Sequence, residues 1–189
     1  MNVTTLQVES ALMGQVLAPY KPHCRYLQRA KVELPEAGAD YLVRLHGELS
    51  IPDSCYIDDT GHFNSVEFNI CYNQMIYVLM AQCVESRLLP AFAAMTLPEY
   101  LRRQLPDVLI HDFASKFRRP LSPRAFTGIV SIVEANDRSR FLLLRTHCEF
   151  EDGLGGSCHG DVSLAIVQHP ENGTARTNGA HAATTPRRS

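Results

Sequence analysis

Between Tyr56 and Gln74 the chain reads Tyr-Ile-Asp-Asp-Thr-Gly-His-Phe-Asn-Ser-Val-Glu-Phe-Asn-Ile-Cys-Tyr-Asn-Gln. Imidazole, phenol, carboxylate and amide groups crowd the start of a segment that then turns strongly apolar. Buried amides and carboxylates cost free energy unless something partners them. Asn64 has the type and place of a helix N-cap, and Glu67 follows in capping-box position. Free N–H groups at such a helix start hold an oxygen on which negative charge develops. Gly61 lets the backbone approach a ligand closely, and Phe63 shares the turn. His62 can act as a base or hold a substrate group. The alternative for it is a neutral imidazole bonded to a backbone carbonyl. Asn64 and Glu67 can equally form a self-satisfied cap. Asn73 lies too deep for capping and should bond a partner across the core or line a cavity. Tyr56 can donate a phenolic hydrogen bond into the same space. Tyr20, in Ala18-Pro19-Tyr20, is a second phenol, with a Pro-Tyr corner packed on the core as its alternative.

A second set of chemically useful residues is Ser115-Lys-Phe-Arg-Arg-Pro120. On a strand, Lys116 and Arg118 project to one face, and Ser115, Phe117 and Arg119 to the other. The run suits a phosphate or an acidic carrier helix, or else a solvated strand end guarding a sheet edge. Gly153-Leu-Gly-Gly156 reads as a turn, because it lacks the strand-to-helix setting of a nucleotide loop. No Gly-x-Ser-x-Gly elbow occurs.

The elements that position these groups follow from pattern. Residues 6–18 read as a short amphipathic helix ended by Pro19. Residues 27–34 and 40–51 alternate like paired strands, with Tyr41, Val43, Leu45, Leu49 and Ile51 on one face and Arg44, His46 and Glu48 on the other. A long apolar helix is expected over 64–87 and a short exposed one over 97–104. Strands follow at about 107–118, 124–134, 139–150 and 157–167, with turns at Pro120/Pro123, Asn136-Asp137 and Gly153–Gly156. These four suit consecutive antiparallel hairpins, since no helix separates them. From His169 the Asn, Gly, Ala, Thr, Pro and Arg tail lacks the apolar content to order itself. The organisation is thus one α+β domain over 1–168, with an N-terminal helix, and a disordered tail over 169–189.

Composition narrows the class. The formal net charge of -2 gives no basic field for nucleic acid. No stretch is long and uncharged enough to span a membrane, and the N-terminus has no signal-peptide pattern. The six cysteines form no CxxC pair and no zinc-ligand spacing, so reduced thiols in the cytoplasm are expected, with no metal and no cofactor.

Two strands, a buried helix and four strands match the element order of a hotdog fold, a sheet wrapped around one helix. Leu17-Ala-Pro-Tyr20, Tyr56–Asn64, Val66-Glu67, Cys71-Tyr-Asn-Gln74 and Ala114-Ser-Lys-Phe-Arg-Arg-Pro-Leu-Ser-Pro123 resemble the FcoT-type family, actinobacterial hotdog proteins named for a mycobacterial fatty-acyl-CoA thioesterase. The resemblance spans about residues 10–167. It implies active-site roles for Tyr20, Tyr56, Asn64 and Asn73, and action on fatty acyl thioesters. It also implies an edge-to-edge dimer or a dimer of dimers. Family members in isonitrile-lipopeptide and related β-amino-acid clusters add the amine of glycine to the β-carbon of a 2-enoyl thioester on an acyl carrier protein. Hydrolysis then releases an N-carboxymethyl-3-amino acid. The amide, phenol and imidazole groups here suit that addition, with His62 or Glu67 as the base and Arg118 or Arg119 for the glycine carboxylate. The alternatives are a plain thioesterase on long-chain acyl-CoA and a non-catalytic acyl-thioester binding module.

Overall fold

The computed structural model describes residues 4–58, 60–138 and 140–167, so the expected tail from His169 lies outside the described residues. The elements run β1 (Thr5–Gln7), α1 (Ser10–Leu17), β2 (Leu27–Glu33), β3 (Val43–Leu49), α2 (Ser65–Glu85), α3 (Leu97–Arg103), β4 (Val108–Arg119), β5 (Phe126–Arg138), β6 (Phe141–Glu151) and β7 (Ser157–Val167). One seven-stranded antiparallel sheet, in the order β1-β2-β3-β5-β6-β7-β4, wraps around α2. This is a hotdog architecture of class α+β.

Helix α2 buries most of its length, from Phe68 to Val84, because its sequence is apolar nearly all round. Two facing glycines seat it. Gly47 and Gly128 are register partners on β3 and β5. A Cβ on Gly47 would lie 3.1 Å from Met75 Cε, and one on Gly128 would lie 2.8 Å from Met75 Sδ. Glycine therefore lets the helix approach the sheet where Met75 crosses it. Two buried polar contacts fix the helix further. The Tyr72 hydroxyl lies 2.8 Å from Thr146 Oγ1, which itself donates to the Val162 carbonyl at 2.9 Å. Gln74 is fully buried. Its Oε1 accepts from the Tyr26 and Leu27 N–H groups at 2.9 and 3.0 Å, and its Nε2 donates to the Cys24 carbonyl at 2.6 Å.

Several expectations need correction. The segment 6–18 splits into β1 and α1, and β1 pairs with β2 through Leu6↔Val32. Tyr41 does not join the inward face with Val43 and Leu45. It precedes β3, its hydroxyl bonds Glu33 Oε1 at 2.5 Å, and the Arg44 guanidinium covers its ring at 3.9 Å. Asn136 and Asp137 form no turn but pair with Leu143 and Leu142 inside the β5–β6 ladder. There β5 runs past the end of β3 and is paired by β6 alone. Of the four late strands, β5, β6 and β7 are successive antiparallel hairpins, but β4 does not pair β5; it pairs β7 and closes one end of the sheet. Sequence patterns carry no signal for that long-range choice. Finally, α3 is not wholly exposed, since Tyr100 is buried and donates to the Tyr77 carbonyl at 2.8 Å.

Candidate active site

The start of α2 is built by a full capping box. Asn64 Oδ1 accepts from the Val66 N–H at 3.0 Å and the Glu67 N–H at 3.3 Å. Glu67 Oε2 reaches back to the Asn64 N–H at 3.3 Å. A third donor arrives from outside the helix, the Tyr56 hydroxyl at 3.0 Å. Three donors on one oxygen fix the amide's orientation. Asn64 Nδ2 is then left with no hydrogen-bond partner, although it is sealed from solvent. An unpaired buried donor costs about 1–3 kcal/mol. The neighbouring Ser65 N–H is also taken by no acceptor among the described residues. The positive end of the helix dipole adds to both.

The turn before the helix has its own order. Gly61 adopts φ 75°, the left-handed region that suits glycine. The Thr60 hydroxyl donates to the His62 carbonyl at 2.8 Å, and His62 Nδ1 lies 3.0 Å from the Thr60 carbonyl. A carbonyl only accepts, so Nδ1 carries the proton and the neutral ring keeps its lone pair on Nε2. The backbone-carbonyl bond expected of His62 is present, and the ring is exposed. Phe63 serves the core more than the surface. Its ring lies 5.0 Å from Phe126 and 5.4 Å from Phe150, and its N–H donates to the Leu121 carbonyl at 2.9 Å.

His62, Phe63, Asn64 and Ser65 line a cleft of about 470 Å³ together with Phe117, Arg118, Arg119 and Pro120. Simple alternation would send Arg118 and Arg119 to opposite faces. The register slips between Phe117 and Arg119, and both Arg118 and Arg119 line the same cleft. No carboxylate among the described residues pairs with Lys116, Arg118 or Arg119. Lys116 and Ser115 sit one step along β4, opposite His159 and Gly160, and do not line the cleft.

The structure does not gather every expected residue. Asn73 bonds no partner across the core. Its Nδ2 donates to Asn69 Oδ1 at 2.7 Å on the same helix, and both are half-buried. The i, i+4 spacing makes this local pairing available wherever a helix carries two amides. Tyr20 lies further along α2, beside Cys71 and Tyr77, and burial raises its phenol well above the ordinary range. Burial, and then the nearby Glu67 charge, hold the Cys71 thiol protonated. Ser65 and Phe117 escaped the sequence reading as site residues. The signal for Ser65 was its place just after an N-cap.

A family model described as "FcoT-like thioesterase domain" matches residues 15–166. The chain belongs to the FcoT-like thioesterase family. Among curated relatives of this FcoT-like domain, a Streptomyces coeruleorubidus protein named "(2E)-enoyl-[ACP] glycyltransferase" is 44% identical, over 86% of this chain and 99% of the relative. Proteins of the same name from Mycobacterium marinum and Mycobacterium tuberculosis are 34% and 32% identical, over 88% of this chain and 90% and 91% of theirs. No helix of the described residues is long and apolar enough to cross a membrane.

Proposed function

We propose that this chain adds the amine of glycine to the β-carbon of a 2-enoyl thioester carried on an acyl carrier protein, with linked hydrolysis of the thioester. The observation that carries this reading is the cleft itself. One space is lined by an imidazole with its lone pair on Nε2, an untaken helix N–H and two unpaired guanidinium groups. The name shared by the relatives supports the same chemistry.

Each step has a group to serve it. His62 Nε2 takes a proton from the glycine ammonium, and the freed lone pair attacks Cβ. The C=C π pair moves toward the carbonyl, and negative charge grows on the thioester oxygen. The Ser65 N–H is the donor for that oxygen, and the Asn64 cap holds it in place. A proton then returns to Cα. Arg118 or Arg119 holds the glycine carboxylate, and the other guanidinium is free for the carrier's phosphate. Glu67 is buried and committed to the cap, which favours His62 as the base. Tyr56 acts through Asn64 by fixing its amide. Tyr20 and Asn73 flank the path of the acyl chain along α2. Six free thiols, five of them buried, suit a reducing cytoplasm. The exposed edge of β4 suits pairing with a second copy.

The direct test incubates the protein with a 2-enoyl carrier thioester and glycine, followed by mass spectrometry. The expected product is the glycine adduct, first on the carrier and then as the free N-carboxymethyl-3-amino acid. The family description favours a second reading, a plain thioesterase on long-chain acyl-CoA. Free enoic acid alone, at every glycine concentration, would establish that reading instead. Tight thioester binding with no turnover would leave only a binding module.

A further inference from the structure

The β6–β7 turn presents a leucine to water beside the cleft, and nothing in the proposed chemistry uses it. Leu154 is 87% exposed, the most exposed large apolar residue described. It is not on a loose tip. Asp152 Oδ1 accepts from the Leu154 N–H at 2.8 Å and the Gly156 N–H at 2.9 Å, and Asp152 Oδ2 accepts from the Ser122 N–H at 2.9 Å. Gly153 and Gly155 both have positive φ, 70° and 103°, which lets the turn close around that carboxylate. The turn is thereby tied to the segment that follows β4. A Cβ on Gly156 would lie 2.5 Å from the Pro120 carbonyl oxygen, and one on Gly155 would lie 3.6 Å from an Arg119 terminal nitrogen. The turn that carries Leu154 therefore packs, through Gly155 and Gly156, against Arg119 and Pro120, two residues that line the cleft.

On its β4 side the turn meets a cluster of cations, while Glu151 and Asp152 lie at its other end. Lys116, Arg118 and Arg119 occupy three of four successive positions and make no ion pair among the described residues. The Asp152 carboxylate faces into its own turn, where the Ser122, Leu154 and Gly156 N–H groups engage it. A rigidly held apolar side chain beside unpaired cations fits a partner of opposite pattern, an acidic surface with an apolar centre.

We propose that the β6–β7 turn and the end of β4 form the docking surface for an acidic carrier protein, with Leu154 as the apolar contact. This rests on the carrier-bound substrate of the reading above. The surface borders the cleft on its β4 side, so a carrier seated on it delivers its thioester arm toward His62 and Ser65. Preordering of the turn by Asp152 reduces the entropy lost on docking.

The experiment compares the native protein with Leu154→Asp in two assays. The first is direct binding of an acidic holo carrier protein, measured by fluorescence anisotropy over a salt series. The second is turnover with glycine of the same enoyl group on the carrier and on pantetheine alone. We expect Leu154→Asp to weaken carrier binding roughly tenfold, equal to about 1.4 kcal/mol. Native binding should weaken steadily as salt rises. The KM for the carrier substrate should rise in step, with the pantetheine thioester unaffected. Unchanged carrier binding in Leu154→Asp overturns the proposal. So does an equal loss on both substrates, which would place Leu154 in the fold or the cleft. If the variant instead breaks an oligomer in sedimentation, the occupant of this surface is a second copy, and the proposal fails. Carrier binding that obeys these expectations without any glycine adduct would keep the surface and sink the reaction.

Discussion

At the residue scale, Asn64 links stability to chemistry. Its Oδ1 gathers three donors, and that arrangement leaves Nδ2 unpaired. Asn64→Ala should cost about 1 kcal/mol of stability through the lost cap. It should also slow turnover by roughly a hundredfold, the scale of one lost oxyanion donor, because the cap holds the Ser65 N–H in place. Tyr56→Phe removes only the outermost donor, so a loss near tenfold with an unchanged melting temperature is expected, on the order of 1 kcal/mol. A melting temperature that falls while turnover holds would assign Tyr56 to the fold alone. His62→Ala should reduce glycine addition by about 10²–10⁴. A variant that keeps full turnover would remove His62 as the base. Much of this was legible in the sequence, because caps, boxes and glycine turns are local. The tautomer of His62 was not, since it depends on which carbonyl the folded turn presents.

At the element scale, two polar contacts separate positioning from chemistry. Gln74 looked like a member of the ligand-facing set, but its amide spends every bond on the backbone of residues 24–27. Gln74→Leu leaves two N–H groups and a carbonyl unpaired in the core, and should destabilise by at least ~3 kcal/mol in chemical denaturation. A cost below about 1 kcal/mol would mean that water or a shift of the segment replaces the amide. On the outer face of the sheet, burial alone would lower the His147 pKa. Asp161 and Glu149, at 2.8 and 3.1 Å, outweigh it and raise the value above 6.5. A raised folded pKa contributes stability that is complete below about 6.5 and fades as pH climbs through the higher folded value. His147→Gln should therefore lose more melting temperature near pH ~6 than near pH ~8. Equal losses at both would show that the contact works without charge. Neither contact could be inferred from spacing, because Gln74 and Cys24 are 50 positions apart and His147 meets Asp161 only through the β6–β7 register.

At the scale of the whole molecule, the position of β4 governs the site. It closes one end of the sheet, twelve residues long, with Leu109, Ile110 and Phe117 exposed. A long apolar edge invites pairing with a second copy. Ile110→Lys should shift the sedimenting mass toward monomer, since a charge on such an edge opposes strand addition. A native monomer, or a dimer indifferent to the lysine, would dismiss edge pairing. The sequence by itself determined the long buried helix, its capped and glycine-led start, six of the seven strands and the basic run, because each rests on residues close together in the chain. Tertiary structure alone decided that β4 pairs β7, that Arg118 and Arg119 line one cleft, and that Asn73 pairs with Asn69 instead of crossing the core. Those outcomes depend on which distant backbone supplies hydrogen bonds, and local pattern does not encode that competition. The polar start of α2 is therefore a property of the sequence, and the cleft it shares with β4 is a property of the fold.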